Sequence, residues 1–128
     1  MIFGIGIDTI EVPRIVRTIE EYGNQFLNRI YSEEEIQYCI RRPHAAEHFA
    51  ARFAAKEAFA KALGTGVRRK FVWRHVVVAK ELSGRPFIEL RGEMNGRAQA
   101  IIGGNFNIQL SITHTSTIAE AIVTIEKQ

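Results

Sequence analysis

The sequence predicts an α+β fold with a mainly antiparallel sheet and a long central helix, in one domain spanning residues 1–128. Three observations carry this expectation. Strand-like segments open and close the chain, and a long alanine-rich helix occupies its middle. Helices and strands also fail to alternate in the βαβ rhythm of a parallel sheet. At 128 residues the chain falls within one ordinary domain, and burying roughly two-thirds of its unfolded surface gives a core without staples.

The elements follow in order. Residues 2–10 read as a strand, and Glu11-Val12-Pro13 opens a helix to about Glu21, with Pro13 acceptable in the first turn. Ser32-Glu33-Glu34-Glu35 has the form of a capping box, starting a helix that Pro43 stops. His44 to Leu63 is the alanine-rich helix, closed by Gly64. His75–Leu82 and Phe87–Arg91 are strand-like around the turn Ser83-Gly84-Arg85-Pro86. A helix near Glu93–Ile102 leads to two further strands, Asn105–Thr115 and Ile118–Lys127.

Composition narrows the function classes. Hydrophobic residues at 46% and charged residues at 24% are ordinary globular usage, which argues against disorder. Cys39 is the single cysteine, so no intrachain disulfide forms and no CxxC or Cys/His metal motif exists. A small buried hydrophobe in a reducing, cytoplasmic setting fits it. Residues 1–8 lack the basic start of a signal peptide and meet a carboxylate at Asp8. No apolar run approaches the ~20 residues that span a bilayer, so a membrane location is not expected. Seventeen Lys and Arg against 14 acids give a net charge of +3 and a pI near 9.3. That surplus favours an anionic partner, whether phosphorylated small molecule, acidic protein or nucleic acid.

Three segments carry chemistry. In the opening strand, Gly4, Gly6 and Asp8 share one face and Phe3, Ile5 and Ile7 the other. Two glycines inside a strand weaken it, so close backbone approach is expected on their face. Asp8, at the end of that bare face, reads either as a turn carboxylate or as a functional one.

The second segment runs from Phe49 to Leu63. Phe49, Phe53, Ala60 and Leu63 form a core stripe, and Lys56 falls inside it. An unpaired ammonium there is costly, so Lys56 must snorkel, find a carboxylate or meet a bound anion. Glu57 and Lys61 form an i,i+4 pair among small alanines, which is either a surface ion pair or a lined ligand site. Gly64-Thr65-Gly66 suits a phosphate nest and a plain turn equally, and lacks the order of a P-loop.

In the third segment, Ser111-Ile112-Thr113-His114, a histidine leaves a strand among hydroxyls, where it can titrate, bind an anion or serve structure. His44 and His48 are i,i+4 without HExxH, so they line a helix surface rather than hold zinc.

Taken together, Gly4-Ile5-Gly6-Ile7-Asp8 with Glu11 and Arg14, Arg52-Phe53-Ala54-Ala55-Lys56-Glu57-Ala58 with Lys61-Ala62-Leu63-Gly64-Thr65-Gly66, and Ser111-Ile112-Thr113-His114 resemble one family. It is the small, stand-alone class of 4′-phosphopantetheinyl transferases, the holo-[acyl-carrier-protein] synthases. The resemblance covers the chain in order, including Gly84-Arg85-Pro86, and is weaker in Thr18–Pro43 and Leu90–Asn107.

The resemblance implies transfer of phosphopantetheine from coenzyme A to a serine of apo-acyl carrier protein. Adenosine 3′,5′-bisphosphate is released, Mg²⁺ or Mn²⁺ assists, and the product serves fatty acid biosynthesis. It implies homotrimers with active sites at subunit interfaces. Asp8 and Glu57 then correspond to the metal carboxylates and Lys61 to a clamp on the pyrophosphate. Arg52, Gly64, Thr65 and His114 would take part in binding the coenzyme, with His114 as base, phosphate ligand or structural residue. Arg14 and Arg17, i,i+3 on the first helix, would meet an acidic carrier protein. A basic nucleic-acid binder would also explain the pI, Arg41-Arg42 and Arg68-Arg69-Lys70. It leaves Asp8 and Glu57 idle, and no RRM, zinc-knuckle or KH signature accompanies it. A non-catalytic coenzyme- or carrier-binding subunit is the other alternative, and it has no need of a metal site.

Overall fold

The structure is a computed structural model and describes residues 1–64 and 71–128. Its elements are β1 (Ile2–Glu11), α1 (Val12–Tyr22), α2 (Asn24–Ile30), α3 (Glu33–Ile40), α4 (Ala45–Leu63), a 3₁₀ turn (Trp73–His75), β2 (Val76–Lys80), β3 (Pro86–Leu90), α5 (Met94–Ile102), β4 (Phe106–His114) and β5 (Ile118–Lys127). Three strands form an antiparallel sheet in the order β1-β5-β4, and β2 and β3 form an antiparallel hairpin. The hairpin lies beside β4, where Arg85 Nη2 donates to Gln109 Oε1 at 2.7 Å.

Period-two patterning gives the larger sheet one dry face. Ala119, Ala121, Val123 and Ile125 of β5 are all buried, and α4 packs against them and against β1. The two strand glycines explain how closely it does so. A Cβ on Gly6 would overlap the Ala58 carbonyl oxygen, and one on Gly4 the Ala62 carbonyl oxygen. Helix backbone therefore sits directly on strand backbone, as the bare face predicts. The opposite face leaves Ile5, Ile7 and Ile122 at 58%, 53% and 41% exposure.

The capping box of α3 is present in both halves. Ser32 Oγ accepts from the Glu35 N–H at 3.2 Å and Glu35 Oε1 accepts from the Ser32 N–H at 2.9 Å. Helix α3 ends at Ile40, three residues short of Pro43, and α4 starts at Ala45 because His44 takes left-handed backbone (φ 58°). Helix α2 is an addition to the expected elements: two turns, introduced by Gly23 and held through Leu27 and Ile30. It is too short for a periodic pattern to announce it.

Lys56 resolves to the carboxylate option. Its side chain is fully buried, with Nζ 2.8 Å from Glu35 Oε1, and it donates to the carbonyls of Trp73 and Val76. Burial pulls its pKa below the ordinary lysine value, and Glu35 works against that fall. Cys39 is fully buried, as expected of a small hydrophobe. No helix among the described residues is long and apolar enough to cross a membrane.

Candidate active site

Strand β1 carries Asp8 on the same inward row as the glycines, opposite Ala121. Helix α4 brings Glu57 and Lys61 past it one turn apart. Lys61 Nζ lies 3.1 Å from Asp8 Oδ1 and donates to the Ile7 carbonyl at 3.0 Å. Asp8 is largely shielded, with 16% of its side chain exposed against 48% for Lys61. Asp8, Glu57, Lys61 and Arg14 line one cavity of about 450 Å³, whose apolar wall includes Phe26 and Phe53. Phe53 in turn stacks on Trp73 with ring centroids 5.6 Å apart and planes 5° from parallel.

This donor set suits a hard divalent cation. Two carboxylates from different elements meet the demand of Mg²⁺, which takes one or two protein carboxylates and completes its shell with water and phosphate oxygens. Among the described residues no three His, Cys, Asp or Glu side chains gather as a metal cage. Asp8 and Glu57, hard oxygen donors on separate elements, suit Mg²⁺ or Mn²⁺.

The other expected residues lie elsewhere on the chain. Arg52 and Lys61 are nine residues apart, so at ~100° per residue they point to opposite sides of α4. Arg52 is 4% exposed and its guanidinium rests 4.0 Å from the Tyr38 ring centroid. Arg42 lies 3.3 Å and Lys80 5.2 Å from the same ring. Arg52 Nε is buried with no hydrogen-bond partner, the one such side-chain atom among the described residues. Burial tends to raise the Tyr38 hydroxyl. A hydrogen bond from Lys80 and the charges of Lys80, Arg42 and Arg52 outweigh that and hold it below its ordinary value.

His114, at the end of β4, points to the start of α4. Its Nδ1 is 3.0 Å from Glu47 Oε1, and its ring meets His48 edge-on at 5.2 Å. Glu47 and Glu57 are ten residues apart, about 15 Å along the helix. Within one chain, then, His114 and Arg52 do not join Lys61 in a single phosphate region. His48, expected on a helix surface, is half-buried between His114 and Tyr38. Burial and repulsion from His114, Arg52, Arg42 and Lys80 hold its pKa below the ordinary histidine value. Gly64 caps α4 at φ 107°, its N–H bonded to the Ala60 carbonyl, and Thr65 lies outside the described residues. Arg14 is exposed on α1 and lines the cavity, whereas Arg17 is exposed one turn further on.

Sequence reasoning missed Glu47, Tyr38 and Lys80, and met Arg42 only as half of the basic pair Arg41-Arg42. None carries a motif, because their significance comes from α3, α4 and β2 meeting around Arg52 and His114. Phe26 was missed for a related reason, since it belongs to the unanticipated α2.

Comparison with known proteins converges on one family. The family model described as the 4′-phosphopantetheinyl transferase superfamily matches residues 4–117. The holo-[acyl-carrier-protein] synthase of Koribacter versatilis is 46% identical over 126 residues, covering 98% of this chain and 99% of the relative. The crystal structure of holo-[acyl-carrier-protein] synthase from Neisseria meningitidis superposes with a TM-score of 0.87 at 33% identity, covering 99% of this chain and 100% of that one. The ACPS–CoA complex from Chronobacterium ammoniagenes gives 0.86 at 27% identity, with 98% and 97% covered. The chain thus belongs to the 4′-phosphopantetheinyl transferase superfamily.

Proposed function

We propose that this chain, as one domain, transfers the 4′-phosphopantetheine arm of coenzyme A to a serine of an acyl carrier protein. Adenosine 3′,5′-bisphosphate leaves, and the holo-carrier serves fatty acid biosynthesis in the cytoplasm. The observation that carries the reading is the meeting of Asp8, Glu57 and Lys61 in one cavity with Arg14 at its edge. Attack of an alcohol on a pyrophosphate calls for charge neutralisation and alignment more than for covalent help. A Mg²⁺ or Mn²⁺ ion held by Asp8 and Glu57 would offset pyrophosphate charge. Lys61 supplies a fixed ammonium to the oxygens that gain charge as the bond breaks. Arg14 offers the incoming carrier protein a guanidinium able to grip a carboxylate in bidentate geometry, and Arg17 extends that basic face.

The separation of His114 and Arg52 from Lys61 supports an interfacial site in a homotrimer. The apolar outer face around Ile5, Ile7 and Ile122 offers a surface for a second copy to cover. One copy would supply Asp8, Glu57 and Lys61, and its neighbour His114 and Arg52. The buried, unpartnered Arg52 Nε among Arg42 and Lys80 suits an anionic group of the coenzyme, and Gly64 follows Lys61 at the end of α4.

The test is to incubate the purified chain with apo-acyl carrier protein, coenzyme A and Mg²⁺ and weigh the carrier by mass spectrometry. An added phosphopantetheine that disappears with chelator supports the reading. An unmodified carrier with both substrates bound would reduce the chain to a binding subunit.

A further inference from the structure

We propose that Glu47 is a positioning residue for His114, fixing which ring nitrogen that histidine presents. The inference rests on the reading above only for the identity of the anion that His114 meets. Glu47 Oε1 lies 3.0 Å from His114 Nδ1, joining the first turn of α4 to the last residue of β4 across 67 positions of sequence. Both side chains are shielded, at 16% exposure for Glu47 and 31% for His114. A carboxylate only accepts, so the bond requires the proton on Nδ1 and turns Nε2 away from Glu47.

One neighbour packs on the pair. His48, the residue after Glu47, meets the His114 ring edge-on at 66°. The second Glu47 oxygen faces Nδ1 of the exposed N-cap residue His44 at 3.8 Å, beyond hydrogen-bond distance. The charges that act on the adjacent His48 are cationic: Arg52 on α4, Arg42 past the α3 end and Lys80 on β2. Glu47 is the acceptor that His114 Nδ1 faces. With Nδ1–H committed to it, Nε2 carries the free lone pair of the neutral ring. When the ring gains a proton, Nε2–H becomes a donor to a phosphate oxygen while Glu47 faces the other N–H. An unrestrained histidine, whose neutral form favours the proton on Nε2, would be free to rotate or present either nitrogen.

The test reads the tautomer directly. Imidazole ¹⁵N spectra of the full chain, taken roughly two pH units above the ordinary histidine value of about 6.5, should report the proton of His114 on Nδ1. Glu47→Ala should move it to Nε2, whereas Glu47→Gln, whose amide oxygen still accepts, should keep it on Nδ1. In parallel, Glu47→Ala should raise KM for coenzyme A about tenfold, the scale of one charge-assisted hydrogen bond, with a smaller change in kcat. Glu47→Gln should restore most of that loss. A wild-type chain with the proton on Nε2, or an alanine variant that retains it on Nδ1, overturns the proposal. A displaced tautomer with an unchanged KM overturns its service to the coenzyme. Because the spectra need no turnover, an inactive chain with the expected tautomers would sink the transferase reading and leave the Glu47–His114 pair standing.

Discussion

Glu35 and Lys56 face each other across 2.8 Å with 1% and 0% of their side chains exposed. The pair works as a junction. Glu35 Oε2 also accepts from the Val78 N–H at 3.0 Å, so one carboxylate joins the α3 cap, helix α4 and strand β2. Removing one member of a buried pair leaves an uncompensated charge, at a typical cost of about 3–5 kcal/mol. Lys56→Met should lose stability on that scale in urea titration. The double variant Glu35→Leu, Lys56→Met should recover only part, because the Val78 N–H then lacks its acceptor.

Replacing Asp8 or Glu57 with Ala should reduce carrier-protein modification about 10²–10³-fold, the range for loss of one preorganised electrostatic group. Folding should survive, since both side chains line a cavity rather than the core. The decisive measurement is the rate at limiting Mg²⁺ alongside a thermal melt. Near-normal activity in Asp8→Ala would remove Asp8 from the metal assignment.

Lys61→Ala should lower kcat more than it weakens coenzyme A binding, again by about 10²–10³-fold. Its ammonium lies 3.1 Å from Asp8 and is about half exposed in the cavity that Glu57 also lines. A raised KM with unchanged turnover would mean that Lys61 contributes equally to ground state and transition state.

Arg14→Glu should raise KM for the carrier protein and leave that for coenzyme A nearly unchanged. Added salt should shrink the difference, because exposed charges are screened over about 8–10 Å at physiological ionic strength. Arg17→Glu should act in the same direction and more weakly, since Arg14 is the one that lines the cavity. Steady-state kinetics with each substrate varied in turn checks both.

Burial pushes the Cys39 thiol up to about 11. The native side chain should therefore resist alkylation at pH 8 and react only after unfolding. Linkage fixes the sign of its stability effect. The unfolded thiol ionises first, near pH 8.5–9, so native stability should fall as pH rises from there toward about 11. Cys39→Ala should flatten that limb in denaturant titrations taken across the same window.

Features set by neighbours in sequence were legible before the fold was known. Ser32 and Glu35 sit at the capping-box spacing, Glu57 and Lys61 one turn apart, and Gly4, Gly6 and Asp8 on alternate strand positions. Each spacing fixes a local geometry, and the bare glycine face foretold a close backbone approach, though not that a helix would make it. Features set by tertiary meeting were not legible. Lys56 announced a need for a partner, but Glu35 stands 21 positions away on another helix. His114 and Lys61 both carried motif signals, and only the length of α4 revealed how far apart one chain holds them. Helix α2 offered too few residues for a period to emerge.

The glycine contact between β1 and α4 has a bearing on how this protein can be engineered. The spacing between the strand that carries Asp8 and the helix that carries Glu57 is set by main-chain atoms, because Gly4 and Gly6 meet the Ala62 and Ala58 carbonyls. Designers can thus redraw exposed side chains on the outer face of β1 and β5, such as Ile5, Ile7 and Ile122, without re-aiming the two acids, whereas the buried β5 row under α4 has to keep its small residues. The reverse also holds: one methyl group at Gly6 would act as a wedge and spread the carboxylates from the backbone outward.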